Sequence, residues 1–89
     1  MLMSQRSVVN AEHAEIHIST CDLALDVMPE GGGFDYQVTD LRKKSLIPML
    51  GGQYVSHEMA KHNAEDDARK YAGGYPGPID WVPVRFVGE

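Results

Sequence analysis

Apolar and polar residues alternate near the start of the chain, which is typical of a strand with one buried face. Ile16 and Ile18 are separated and flanked by polar residues. After residues 19–22 the alternation shifts by one position, and the apolar set becomes Leu23, Leu25 and Val27. Such a shift indicates a bulge or a short turn, because otherwise the apolar face would change sides of the sheet. We expect a bulge here.

The clearest local pattern is LALDVMPEGGGFDYQVTDL, residues 23–41. Two alternating runs flank a Pro-Glu-Gly-Gly-Gly segment, and the second run has Phe34, Tyr36 and Val38 as its apolar positions. The glycines can supply the positive φ angles that a hairpin loop needs. Pro29 is expected to end the first strand, because proline cannot donate to the ladder. The segment therefore predicts a β-hairpin.

Shorter apolar runs lie later in the chain. Residues 45–50 contain Pro48, which places this run at a sheet edge or a bulge. Two glycines then predict a turn, and residues 53–55 could complete a second, weaker hairpin. Residues 79–87 predict a final strand, and Pro83 makes it an edge strand or a bent one.

A helix is predicted between these runs. Ser56 can cap its N-terminus, and Asn63 could cap a shorter version. A stripe of small side chains would let the helix lie close against a sheet, namely Ala60, Ala64 and Ala68. Gly73 and Gly74 are expected to end the helix.

These elements predict an α+β fold with a single antiparallel β-sheet of about four strands. One main α-helix should pack on one face, in the order hairpin, strand, helix, strand. We expect residues 1–9 to form a flexible N-terminal lead-in and residues 10–89 to form a single α+β domain. The proline-bearing edges, or the other sheet face, could form a homodimer.

Composition narrows the functional classes. The chain has 89 residues, a formal net charge of -5 and a pI near 5.2. This charge argues against direct nucleic-acid binding by the monomer and favours a basic protein partner or a role as an acidic mimic of nucleic acid. The single cysteine, Cys21, excludes an intrachain disulfide framework. With no membrane-length apolar run and no signal-peptide pattern, the sequence predicts a cytoplasmic protein that does not enter membranes.

One segment looks like a catalytic motif and fails on its spacing. Residues 56–63 read SHEMAKHN, but the zinc-protease motif needs a second histidine four residues after the first, and here that position is Lys61. His57 and His62 are five residues apart and would point about 140° apart on a helix. No catalytic residue and no cofactor is predicted.

A second histidine set has a plausible metal-binding geometry. His13, Glu15 and His17 alternate, so on a strand all three project from one face and could present two imidazoles and a carboxylate to a metal ion. The alternative is an exposed polar face opposite the isoleucines. A metal-binding or small-ligand-binding protein built on these residues is the second functional hypothesis.

The first functional hypothesis is macromolecular binding. The predicted contact residues are three acidic residues on the helix and two aromatic residues around the Pro-Gly connector, namely Glu65, Asp66, Asp67, Tyr75 and Trp81. Exposed aromatic residues often anchor interfaces. Both groups also have structural explanations, because acidic residues suit the start of a helix and the aromatic rings could pack the connector onto the core.

The hairpin at residues 23–41, followed by a short strand and an alanine-rich helix, resembles the HicB-like antitoxin fold over about residues 23 to 72. The matching positions are Asp40 and Leu41 after the second hairpin strand, and Ser56-His57-Glu58-Met59-Ala60 at the start of the helix. In size and acidity the chain is also similar to small phage and mobile-element proteins, including some anti-CRISPR inhibitors. These resemblances imply a small non-catalytic protein that inhibits or neutralises another macromolecule.

Overall fold

The computed structural model describes residues 11–47 and 56–84. These residues form one antiparallel sheet with the strand order β4-β3-β2-β1-β5, together with one helix. The predicted α+β class is confirmed, with five strands in place of about four. The elements are β1 Glu12–His17, β2 Asp22–Glu30, β3 Gly33–Asp40, β4 Ser45–Leu46, α1 His57–Tyr71 and β5 Val82–Pro83.

The shift in alternation marks a chain reversal, so the expected bulge is wrong. β1 and β2 pair antiparallel from Glu12 opposite Val27 to His17 opposite Asp22. The Ile18 amide donates to the Cys21 carbonyl at 3.0 Å and closes the connection. Because a reversal ends one strand and starts another, the two alternations need not share a phase. The apolar residues of both strands therefore face the same side.

The predicted hairpin at the triple glycine is confirmed. β2 and β3 pair from Leu23 opposite Asp40 to Glu30 opposite Gly33. Of the two loop glycines, Gly31 carries the positive φ angle, 61°. Pro29 does not end the strand, because it pairs with Phe34 within β2 beyond the last residue that faces β1. At that position the missing N–H costs no bond to a neighbouring strand on the β1 side.

The helix packs on one sheet face through its small side chains. Ala60, Ala64 and Ala68 are fully buried, against a core of larger side chains from the strands, namely Ile16, Leu23, Leu25, Val27, Tyr36 and Val38. Without side-chain bulk on this stripe, the helix backbone approaches the sheet closely.

Both predicted helix ends are observed. The Met59 amide donates to Ser56 Oγ at 3.3 Å, so the longer helix forms and Asn63 lies in its interior. Gly73 and Gly74 follow the helix with φ angles of 81° and 94°, which glycine adopts without strain. The predicted boundaries thus rest on a side-chain cap at one end and on backbone freedom at the other.

The strand that contains Pro83 lies at an edge of the sheet. β5 contains Pro83 and pairs with β1 at one edge, as predicted. The predicted lead-in, Pro48, the weak strand at residues 53–55 and the end of the last strand beyond residue 84 lie outside the described residues. Among the described residues, the helix is too short and too polar to cross a bilayer.

Candidate binding surface

The strand register places a set of ionisable side chains on the sheet face opposite the helix. His13 lies across from Asp26, and His17 lies across from Asp22. Glu15 projects between the two histidines on the same strand. The residues between them, including Ala14 and Ile16, point into the core. In the part of the chain that the structure describes, no element packs over this second face.

Direct contacts join these side chains into one continuous row. His13 contacts Asp26 through Nδ1 at 2.7 Å and Glu15 through Nε2 at 2.8 Å. His17 contacts Asp22 through Nδ1 at 2.8 Å and the other oxygen of Glu15 through Nε2 at 2.7 Å. We call Asp26, His13, Glu15, His17 and Asp22 the histidine row. Each imidazole therefore lies between two carboxyl groups.

Arg42 continues the row at its Asp22 end. Its Nε donates to Asp22 Oδ2 at 2.7 Å. Its two terminal nitrogens donate to the carbonyl oxygens of Ser19 and Ile18, at 3.1 and 2.9 Å. The guanidinium lowers the pKa of the Asp22 carboxyl, and the contact with His17 lowers it further. Arg42 thus ties the β1–β2 connection to the end of β3.

The carboxyl partners favour the charged form of both imidazoles. The pKa of His13 is raised above its ordinary value of 6.5, mainly by Asp26 and then by Glu15. The pKa of His17 is also raised, mainly by Asp22 and then by Glu15. In both cases burial acts in the opposite direction. The two histidines in turn lower the pKa of Glu15.

The structure places the three predicted metal ligands together, but the nitrogens of the two histidines do not face a common point. The two Nε2 atoms approach different oxygens of Glu15 from opposite ends of its carboxyl group. Along a strand, residues 13 and 17 are about 13 Å apart at ~3.3 Å per residue, so the rings reach towards each other only by leaning along the strand. No group of three or more candidate ligands within residues 11–47 and 56–84 is arranged to hold a metal ion. Metal binding stays a prediction from the sequence.

The three acidic helix residues predicted as contact residues do not form one exposed surface. Asp67 is only 8% exposed and accepts a hydrogen bond of 2.6 Å from the Tyr36 hydroxyl in the core. Glu65 accepts a hydrogen bond from Trp81 Nε1 at 2.7 Å. Only Asp66 is well exposed, with His62 Nε2 at 3.4 Å. On a helix, successive residues point about 100° apart, which separates the three carboxylates.

The two predicted aromatic contact residues pack against the core. Tyr75 donates to the Pro78 carbonyl at 2.9 Å, and its ring lies 5.7 Å from the Arg69 guanidinium. Trp81 is partly buried, with the Lys61 ammonium 5.5 Å from its ring. The alternative structural explanation for these rings therefore fits their positions. They attach the connector to the helix and sheet.

The remaining histidine and the cysteine lie away from the row. His57 Nε2 is 3.2 Å from Glu12 Oε2 on the helix side, although the geometry is not that of a hydrogen bond. Lys61 also approaches Glu12, at 3.3 Å. Cys21 is a buried free thiol in the core. None of these side chains extends the histidine row.

An open groove of about 390 Å³ lies at the Asp26 end of the row. Its walls come from the start of β1, the end of β2 and Val84, and they are mainly apolar. Asp26 is the one residue that belongs both to this groove and to the histidine row.

Comparisons with known proteins give no further identification, since no family model, no curated protein and no solved structure matches this chain. The resemblance to HicB-like and anti-CRISPR proteins therefore rests on the sequence pattern alone.

Proposed function

We propose that this protein acts by binding a basic segment of another protein, without catalysing a reaction, and that the histidine row is its contact surface. The observation that carries the proposal is the continuous row of contacts from Asp26 to Asp22 on the face that the helix leaves open. These contacts place three carboxyl groups, those of Asp26, Glu15 and Asp22, along one open face of the sheet. A partner with Lys or Arg side chains would complement the three carboxyl groups.

The position of the other acidic residues supports the sheet face over the helix as the contact surface. Asp67 and Glu65 are engaged by Tyr36 and Trp81. By contrast, the Glu15 side chain is 43% exposed at the centre of the row. Glu15 contacts surface histidines, so a partner can compete for its carboxylate without disrupting the core. Of the three predicted helix positions, only Asp66 is comparably exposed.

The contacts within the row favour binding over catalysis. A general base needs a nitrogen that faces the proton it removes from a substrate. Both nitrogens of His13 and of His17 already face carboxyl oxygens. The carboxyl groups hold the imidazoles within the surface and do not direct them into a cleft.

The proposal includes two kinds of cytoplasmic binding protein: an inhibitor from a phage or mobile element, and an antitoxin-like protein. The sequence resemblance and the acidic net charge of -5 are its support. A protein of this kind that occupies a basic surface of its target needs charge complementarity there and no catalytic group.

The proposal can be tested with an oligolysine peptide as a simple basic partner. We expect amide NMR signals of residues 12–26 to shift on titration at about pH 9, well above the ordinary histidine pKa, because the carboxyl neighbours raise the pKa values of His13 and His17. The double variant Glu15→Gln/Asp26→Asn should weaken binding about fivefold, since exposed charge pairs contribute roughly 0.2–1 kcal/mol each.

A matched control removes two exposed carboxylates from the helix in the variant Glu58→Gln/Asp66→Asn. It loses the same charge, so it should weaken binding by less than about twofold if the sheet face is the contact surface. An equal effect of the two double variants, or signal shifts confined to the helix, would contradict the proposed surface. Absence of any binding would contradict the basic partner.

A further inference from the structure

The contacts in the histidine row require more protons than two neutral imidazoles carry. Four nitrogen–oxygen contacts of 2.7 to 2.8 Å join the two rings to carboxyl groups. An ionised carboxylate only accepts hydrogen bonds, so each contact needs an N–H from the ring. A neutral imidazole has one N–H and an imidazolium has two. The observed row is therefore the arrangement of the doubly protonated histidines.

Protonation also sets the net charge of this surface. The row with Arg42 contains three carboxylates, two imidazoles and one guanidinium. With both rings protonated, the positive and negative charges balance. When both rings lose a proton, the carboxylates exceed the remaining cation by two, and each ring keeps only one donor for two acceptors. The surface then becomes anionic and its contacts must rearrange.

The groups around the row do not offset this change. β5 places Val82 beside His13, and β3 places Gln37 and Thr39 beside Asp26 and Ala24 on the other side. All three of these neighbours are uncharged. Asp35 lies farther along β3, opposite Met28, and adds negative charge. Arg42 is the cation that directly contacts the row among the described residues.

We infer that the histidine row is a proton-controlled switch, which presents a charge-balanced, internally bonded surface when His13 and His17 are protonated and an anionic surface for a basic partner when they are not. This inference rests on the proposed function for the identity of the partner. The switch itself rests on the four contacts and the charge balance. Affinity for a cationic peptide should therefore rise as the pH rises through the titration of the two histidines.

The first experiment measures the protonation of each histidine by NMR across the pH range, without any partner. His13 and His17 should titrate above 6.5, the ordinary value from which their carboxyl neighbours shift them. The variant Glu15→Gln should lower both midpoints, because it removes the carboxylate that the two rings share. Asp66→Asn, an equal charge change on the helix, should leave them in place. Titration of either histidine at or below 6.5 would overturn the switch.

The second experiment measures the affinity of the oligolysine peptide at about pH 5.5, below the ordinary histidine pKa, and at about pH 9, well above it. We expect binding to be tighter at the higher pH by about threefold or more, because both histidines then lose their positive charge and the row becomes anionic. The variant His13→Gln/His17→Gln should lose this dependence. Equal affinity at both values would overturn the switch. Raised midpoints with no peptide binding at any pH would leave the switch standing and contradict the proposed basic partner.

Discussion

The hydrogen bond between Tyr36 and Asp67 allows a direct test of whether Asp67 stabilises the fold from within the core. Tyr36 is 2% exposed and its hydroxyl donates to Asp67 Oδ2 at 2.6 Å across the interface between β3 and the helix. Tyr36→Phe removes this donor and leaves the ring and its packing in place. The substitution therefore isolates the contribution of the hydroxyl to the free energy of unfolding.

We expect Tyr36→Phe to lower the free energy of unfolding by about 2 kcal/mol, because a buried hydrogen bond to a carboxyl group contributes roughly 1 to 3 kcal/mol. For a domain of this size the melting temperature should fall by about 8–16 °C, at ~4–8 °C per kcal/mol. Trp81 is the single tryptophan and packs against the core, so its fluorescence can follow unfolding in urea.

A matched pair of helix variants separates the structural from the surface interpretation. Asp67→Asn should destabilise the protein, whereas Asp66→Asn, at the exposed neighbouring position, should change stability by less than about 0.5 kcal/mol. A double-mutant cycle of Tyr36→Phe with Asp67→Asn should give a coupling energy above about 0.5 kcal/mol. A change below about 0.5 kcal/mol for Tyr36→Phe would refute the reasoning, since the hydroxyl would then contribute no more than a surface group.

Two further predictions concern the core and the pH dependence of stability. Ala64→Leu should lower the free energy of unfolding in urea by about 1 to 3 kcal/mol, because the close helix–sheet contact leaves no room for a larger side chain. Met59→Leu, on the exposed side of the helix, should lower it by less than about 0.5 kcal/mol. Similar values for both variants would contradict the close approach of helix and sheet. Stability should be greatest between about pH 4.5 and 6.5, which are the ordinary pKa values of glutamate and histidine. The raised pKa values of His13 and His17 contribute stability that is lost as the pH rises above this window. The lowered pKa values of Glu15 and Asp22 contribute stability that is lost as the pH falls below it, and a melting temperature that does not fall between pH 6.5 and about pH 9 would contradict the histidine contribution.

Local chemistry in the sequence was sufficient to predict the hairpin and the helix. The triple glycine marks the reversal between β2 and β3, because few other residues adopt the φ of 61° seen at Gly31. Ser56 and the Gly73-Gly74 pair mark the helix ends for equally local reasons. The turn between β1 and β2 has no such residue, since Ser19, Thr20 and Cys21 fit a bulge as well as a reversal. For that reason the sequence did not predict that β1 and β2 are separate, paired strands.

The histidine row was only partly visible in the sequence, because its members come from different strands. Alternation along one strand placed His13, Glu15 and His17 on a common face, and the structure agrees. Asp22 and Asp26 join them only through the register of the antiparallel pair, which depends on recognising the reversal. Once residues 18–21 are read as a turn, both aspartates fall opposite the histidines. Arg42 reaches the row from the end of β3, a relation that no local pattern contains.

The same register that orders the core also orders the histidine row, so fold and binding surface are coupled in β1 and β2. On one side, Ala14 and Ile16 contribute to the buried core, while on the other the row joins His13 and His17 to their partners across the strand pair. A slip of one residue would exchange the two faces and expose the core. A variant that removes a row residue therefore bears on strand pairing as well as on partner binding. Substitutions that keep side-chain shape, such as Glu15→Gln, separate the two effects best, because they change charge while preserving the pairing that positions the row.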